Sequence, residues 1–222
     1  MNIPLIISEF VKLVKQDNVI SMGTCEFEKE LVDELVKDLL SNKLEVYFIP
    51  TTVLQAKHLH DLGQKCVSLN DREIDLAIEF VDQIDQYFNF NKRSTKSFIK
   101  DKMISQSALT LVVVSTGYNL VNEITSDIYV EISTFAYQRT IMNLQSYGLA
   151  RVVTDTNNNP VKTEIGHYLA RISIDKNISL EDFEYSVRTI PGVLETGLFL
   201  GLADTVYLVD ESKNQIKVLT RK

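Results

Sequence analysis

Tryptophan is absent from the 222 residues, and cysteine, histidine and proline number two, three and four. Cys25 and Cys66 lie far apart, with no Cys-x-x-Cys and no cysteine–histidine cluster. That argues against a disulfide scaffold or structural zinc site, and the reducing cytoplasm is the expected compartment. His58, His60 and His167 lack metal-ligand partners at useful spacing, so all three read as structural or surface residues and no metal is expected. The N-terminus has no basic stretch followed by an apolar one, so no signal peptide is read. Long hydrophobic runs are also lacking. Residues 104–122 carry no charge, but Ser105, Gln106, Ser107, Thr110, Ser115, Thr116 and Asn119 interrupt them, and a buried strand over 109–114 explains the run without a membrane. Basic charge is in deficit: 23 Lys and Arg against 30 Asp and Glu give a net charge of −7. That balance speaks against nucleic acid as a partner. Repeats and low-complexity tracts are missing. What remains, 45% apolar and 24% charged, is the composition of a folded globular chain.

The first half alternates helix and strand patterns. Helices are expected over 7–15, 28–40 and 50–62, with Leu31, Leu35 and Leu39 four apart in the second. Strands are expected over 19–22, 45–49, 74–78 and 109–114. Buried strands alternating with helices imply a parallel sheet covered on both faces. The second half reads strand 128–132, helix 135–147, strand 149–154, a mostly extended 161–174, helix 179–189 and strand 192–200. That β-α-β-β-α-β order is a split, ferredoxin-like unit. Two last strands, 205–209 and 215–218, are too few for a domain and are expected to rejoin the first sheet. The expected fold is α/β: a Rossmann-like parallel-sheet domain, residues 1–127 plus 201–222, with an inserted ferredoxin-like α+β domain, residues 128–200.

In an open parallel sheet, ligands sit beyond the carboxyl ends of the strands. Four polar segments end there: 21–26, 50–52, 79–83 and 92–102. Glu79 and Asp82 form a carboxylate pair after a buried strand. Such a pair suits proton transfer, but it also suits a turn cap or solvent. Lys92 and Asp101 add a cation and a third acid. Arg93, Lys96, Lys100 and Lys102, taken alone, read first as a solvated basic face. Cys25 opens a helix, which lowers a thiol pKa, but Glu26 beside it opposes that, leaving an inert thiol.

Taken in order, several stretches resemble type A ribose-5-phosphate isomerase. They are Pro50-Thr51-Thr52 with Gln55-Ala56 and Leu62-Gly63, Ile74-Asp75-Leu76-Ala77-Ile78, Val130-Glu131-Ile132, Thr154-Asp155, and Pro191-Gly192-Val193-Leu194-Glu195-Thr196-Gly197-Leu198-Phe199. The resemblance covers nearly the whole chain. It implies metal-free, cofactor-free interconversion of ribose 5-phosphate and ribulose 5-phosphate through an enediolate, in a homodimer or homotetramer. The family's Asp-Gly-Ala-Asp-Glu motif falls on Glu79-Phe80-Val81-Asp82-Gln83. Its lysine and glycine run fall on Lys92 and Arg93-Ser94-Thr95-Lys96, and its catalytic glutamate on Asp101. The resemblance thus implies Asp101 as base, Glu79 and Asp82 as ring-opening and relay acids, and Lys92 as charge stabiliser.

The phosphate turn departs further. The family's Gly-x-Gly-Thr-Gly-Ser-Thr falls on Ser21-Met22-Gly23-Thr24-Cys25-Glu26-Phe27. Gly23, Thr24, Cys25, Glu26, Thr51, Thr52, Arg93 and Lys96 are the expected substrate-binding residues. Glu26, read as lying in the first helical turn, would repel a phosphate by about 4 kcal/mol per charge pair at 4 Å and an effective dielectric of 20. A charge-assisted hydrogen bond returns only about 1.5–3 kcal/mol, so Arg93 or Lys96 would have to intervene. The family's lysine in Asp-x-Ser-Lys has no counterpart in Thr116-Gly117-Tyr118-Asn119. A second reading therefore stands beside the isomerase: a homologue without that catalysis, binding another sugar or metabolite as a sensor or partner protein.

Overall fold

The computed structural model describes residues 1–125 and 127–221. The chain begins α1 (Ile3–Val11), β1 (Val19–Met22), α2 (Glu28–Ser41), β2 (Tyr47–Pro50), α3 (Val53–Asp61), β3 (Lys65–Cys66) and β4 (Ile74–Phe80). Next come β5 (Gln83–Asp85), β6 (Phe90–Asn91), α4 (Phe98–Ser107), β7 (Ala108–Thr116) and β8 (Leu120–Val121). Then follow β9 (Ile128–Ile132), α5 (Tyr137–Leu144), β10 (Gly148–Val152), β11 (Tyr168–Ile174), α6 (Leu180–Val187) and β12 (Val193–Thr196). The chain closes with β13 (Leu198–Phe199), β14 (Thr205–Asp210) and β15 (Gln215–Thr220).

Seven strands form the main sheet in the order β15-β14-β7-β4-β1-β2-β3. All neighbours are parallel except β15, which returns antiparallel to β14. Side chains alternate across this sheet as a strand requires. Val112 and Val114 pack with Phe10 of α1 and Leu31 and Leu35 of α2. Leu111 and Val113 pack on the other side with Ile104 of α4. On β4, Ala77 faces the α4 side. Glu79, two residues on, therefore faces it too. The inserted small domain is the antiparallel sheet β10-β11-β9-β12 with its own core, including Val130, Ile172, Phe183 and Leu198.

Several boundaries differ from the pattern-based expectation, each for a local reason. α1 starts at Ile3 and ends at Val11, not over 7–15, because the Asn2 side chain caps it by accepting the Leu5 N–H and Pro4 sits in the first turn. There a missing N–H breaks no bond. α4 was not expected at all. Phe98, Asp101, Lys102, Ile104 and Ser105 are all buried, so both polar and apolar positions face inward and no amphipathic stripe marks the helix. The stretch 161–174 is strand only from Tyr168. Before it, Thr163 N–H donates to His167 O across a turn containing Gly166 at φ 90°. The strand expected over 192–200 breaks at Gly197, where β12 leaves the small sheet. β13 then joins a third sheet, β13-β6-β5-β8, that the sequence did not announce.

Candidate active site

Three buried charges meet at the carboxyl end of the main sheet. Lys92 Nζ lies 2.7 Å from Glu79 Oε2 and 2.8 Å from Asp101 Oδ2. None of the three side chains is more than 1% exposed. Thr24 completes the group: its hydroxyl accepts from Lys92 Nζ at 3.2 Å and lies 3.3 Å from each Asp101 oxygen. The Thr95 hydroxyl donates to Asp101 Oδ2 from the other side.

Local structure dictates each position. Glu79 sits next to the end of β4, pointing toward α4. Gly23, just past β1, donates its N–H to Ile78 O at 2.8 Å. A Cβ on Gly23 would fall 1.9 Å from Glu79 Oε2, so only glycine leaves room for that carboxylate. Lys92 follows β6, and its N–H donates to Gly197 O at 2.8 Å. The rings of Phe90 and Phe199 stack at 4.6 Å and hold β6 against β13, a contact worth roughly 0.5–1.5 kcal/mol beyond its buried area. A Cβ on Gly197 would lie 2.2 Å from Lys92 O, so this glycine is also a close-approach position. Asp101 lies in the first turn of α4, which Ser97 caps by accepting the Lys100 N–H.

The electrostatics follow from one cation and two acids. The two carboxylates raise the Lys92 pKa above its ordinary value despite burial, so the ammonium stays charged. Glu79 moves the opposite way for a paired acid: burial outweighs the attraction of Lys92 and raises it from 4.5 to about 7. The two shifts are compatible, because a single lysine charge neutralises only one of two buried carboxylates. Glu79 Oε1 stands outside the Lys92 ion pair, and the Phe80 N–H beside the carboxyl partly opposes the upward shift. An acid that titrates near neutrality suits both giving and taking a proton.

Other expected site residues lie around this trio. Asp82 does not join it. It accepts the Arg93 N–H at 2.7 Å and pairs with the Arg93 guanidinium at 2.9 Å, so the cation of Arg93 is already engaged. Thr51 donates to Met22 O at 2.9 Å, and Thr52 caps α3 through Gln55 N–H while donating to Glu28 Oε1 at 2.7 Å. Cys25, Glu26 and Lys96 line a cavity of about 610 Å³ between α2 and α3, with Glu28, Lys57 and His58 among its other walls. Thr24, bonded to the trio, and Cys25 on the cavity wall are consecutive, so the cavity adjoins the buried charges. Burial pushes the Cys25 thiol up to about 12, leaving it neutral.

Glu26 corrects an expectation. α2 begins at Glu28 with Phe27 as its N-cap, so the first-turn acids are Glu28 and Glu30. Glu26 is exposed and precedes the helix, because Phe27 turns inward to meet Phe80 edge-on at 5.0 Å. Sequence reading also missed Thr95 as a partner of Asp101. The only signal was a hydroxyl residue six positions before the acid. Among the described residues, no three His, Cys, Asp or Glu side chains are placed to hold a metal ion. No described helix is long and apolar enough to cross a membrane.

Known proteins share this arrangement of elements. The family model of ribose 5-phosphate isomerase A (phosphoriboisomerase A) matches residues 47–213. The chain is 24% identical over 210 residues to ribose-5-phosphate isomerase A 2 of Oceanobacillus iheyensis, covering 94% of each. It is 28% identical over 221 residues to the probable ribose-5-phosphate isomerase 2 of Arabidopsis thaliana, covering 93% of this chain and 82% of that one. The structure of ribose 5-phosphate isomerase A from Methanocaldococcus jannaschii superposes with a TM-score of 0.88 at 25% identity, covering 99% of both chains. A D-ribose-5-phosphate isomerase in complex with phospho-erythronic acid gives 0.89 at 24% identity, covering 99% of this chain and 97% of that one. With a matching fold, a full-length alignment and a family model spanning most of its residues, the chain belongs to the ribose 5-phosphate isomerase A family.

Proposed function

We propose that the protein interconverts ribose 5-phosphate and ribulose 5-phosphate at the Glu79–Lys92–Asp101 cluster. The observation that carries this reading is the buried ammonium of Lys92, bridging two carboxylates at 2.7 and 2.8 Å. Aldose–ketose isomerisation needs a base for a C–H proton, an acid for the neighbouring oxygen and a positive charge beside the oxyanion. In the open-chain aldose, Asp101 takes the C2 proton while Glu79 protonates O1, giving the enediol form. Asp101 then returns its proton to C1 as the O2 hydroxyl proton passes back to Glu79, and the ketose is formed with both acids restored. Lys92 stabilises the negative charge that builds on O1 and O2. Its fixed charge is already desolvated, so it needs no reorganisation when that charge appears. Asp82, paired with Arg93 at the rim, serves ring opening.

The Thr95 hydroxyl on Asp101 stands where the reacting end of the sugar must arrive. Substrate therefore displaces it. The far end of the sugar extends into the cavity walled by Cys25, Glu26 and Lys96, where Lys96 is the cation for the phosphate. The protein works without a metal or cofactor, in the cytoplasm, as a homodimer or homotetramer.

The test is direct. Purified protein is incubated with millimolar ribose 5-phosphate and ketose formation is followed. Turnover lowered by roughly a hundredfold or more in Asp101→Asn supports the reading; no turnover above background in the wild type refutes it. A melting temperature raised by ribose 5-phosphate in the inactive case would leave a binding role instead.

A further inference from the structure

The helix that carries Asp101 is gripped from the inserted domain at three neighbouring positions. Glu131 of β9 is fully buried. Its Oε2 accepts the Ile99 N–H at 3.2 Å and the Ser97 hydroxyl at 3.1 Å. Its Oε1 accepts from Thr163 Oγ1 at 2.9 Å and meets His167 Nδ1 at 2.9 Å. One residue further along α4, Lys100 pairs with Glu164, which also accepts the Val53 N–H at 2.8 Å. Beyond Asp101, Lys102 is buried against Glu184 at 3.1 Å and Glu195 at 3.3 Å. Asp101 thus sits inside a run of residues, 97 to 102, whose other polar members are held by the inserted domain.

We infer that Glu131 is a positioning residue: it fixes the start of α4 and thereby sets the distance between Asp101 and the reacting carbon. A buried carboxylate is a costly way to join two domains, since desolvation costs several kcal/mol per ion and apolar packing would serve stability as well. What apolar packing cannot supply is a directional hold on a backbone N–H. Glu131 supplies it on Ile99, two residues before Asp101. The Ser97 cap is drawn into the same carboxylate, so the helix can neither slide nor unwind at its first turn. A misplacement of about 1 Å at a reacting group costs on the order of a hundredfold in rate.

This inference rests on Asp101 being the base, and its test separates the two claims. Glu131→Ala should lower kcat on ribose 5-phosphate by roughly a hundredfold with KM within about twofold. Glu131→Gln is the conservative rescue. Its amide oxygen can still accept the Ile99 N–H, while its NH2 group faces the Thr163 hydroxyl and His167 Nδ1, both able to accept. It should recover kcat to within about tenfold of wild type. In parallel, hydrogen exchange of the amides at 99–103 should speed up in Glu131→Ala while the amides of α2 keep their rates. Unchanged kcat in Glu131→Ala, equal losses in both variants, or exchange that is unchanged or raised uniformly through the chain would each overturn the inference. If wild type shows no turnover, the isomerase reading fails, and the exchange measurement still decides whether Glu131 holds α4.

Discussion

Replacing Lys92 by methionine is the sharpest probe of the buried cluster. Methionine keeps most of the volume and removes the charge, leaving Glu79 and Asp101 without the ammonium that lies 2.7 and 2.8 Å from them. Breaking a buried ion pair from one side costs about 3–5 kcal/mol, because the remaining charge is desolvated and unpaired. For a chain of this size each kcal/mol moves Tm by about 2–4 °C, so the expected drop at pH 8 is about 6–20 °C. The drop should depend on pH. Two carboxylates without a cation hold a proton between them, and Glu79 already stands at about 7 with the lysine present. At pH 5 the variant relieves its charge by protonation, and the gap to wild type should shrink. Adding Glu79→Gln to Lys92→Met at pH 8 should restore part of the lost Tm, since it removes one of the stranded charges. Thermal melts of the four proteins of this double-mutant cycle, at both pH values, give the answer. An equal loss at pH 5 and pH 8, or a deeper loss on adding Glu79→Gln, would refute the electrostatic account.

Other perturbations address the neighbouring positions. Because folding raises Glu79 from 4.5 to about 7, the folded state binds the extra proton between those values. Its contribution to stability is complete below 4.5 and is lost as pH rises through about 7; Glu79→Gln should flatten the Tm–pH curve in that window. Asp101→Asn should keep the fold and lower turnover by roughly 10²–10⁴-fold, and wild-type rates would place the base elsewhere. Gly23→Ala drives a methyl into the Glu79 carboxylate and should cost about 1–3 kcal/mol along with activity; an unchanged melt would mean the strand end yields freely. Glu26→Ser removes a carboxylate from the cavity wall and should lower KM for ribose 5-phosphate. An unchanged KM would show that the exposed side chain is screened by solvent.

The order of elements could be read without coordinates because burial leaves a repeating mark. Strand residues such as 111–114 are apolar on both faces, α2 repeats leucine every four residues, and Ser179 stands at a capping distance from Asp182. α4 carries no such mark. Asp101 and Lys102 are buried for charge pairing, so the helix that bears the proposed base looks polar and irregular. Its only local signal is the Ser97 cap.

By itself the sequence determined the alternation of strands and helices, the split inserted unit and the residue types available for chemistry: two acids, a lysine and a third acid in order. Those follow from side-chain period and from which groups titrate, both local properties. Only the tertiary structure decided which charges meet. Glu79, Lys92 and Asp101 come from a strand end, the residue after a short strand and a helix, and Asp82, equally promising in sequence, turned to Arg93. It also placed Glu26 outside the helix and brought Glu131 to the start of α4. Coulomb and hydrogen-bond energies depend on distance and on the surrounding dielectric, and neither exists until distant segments pack.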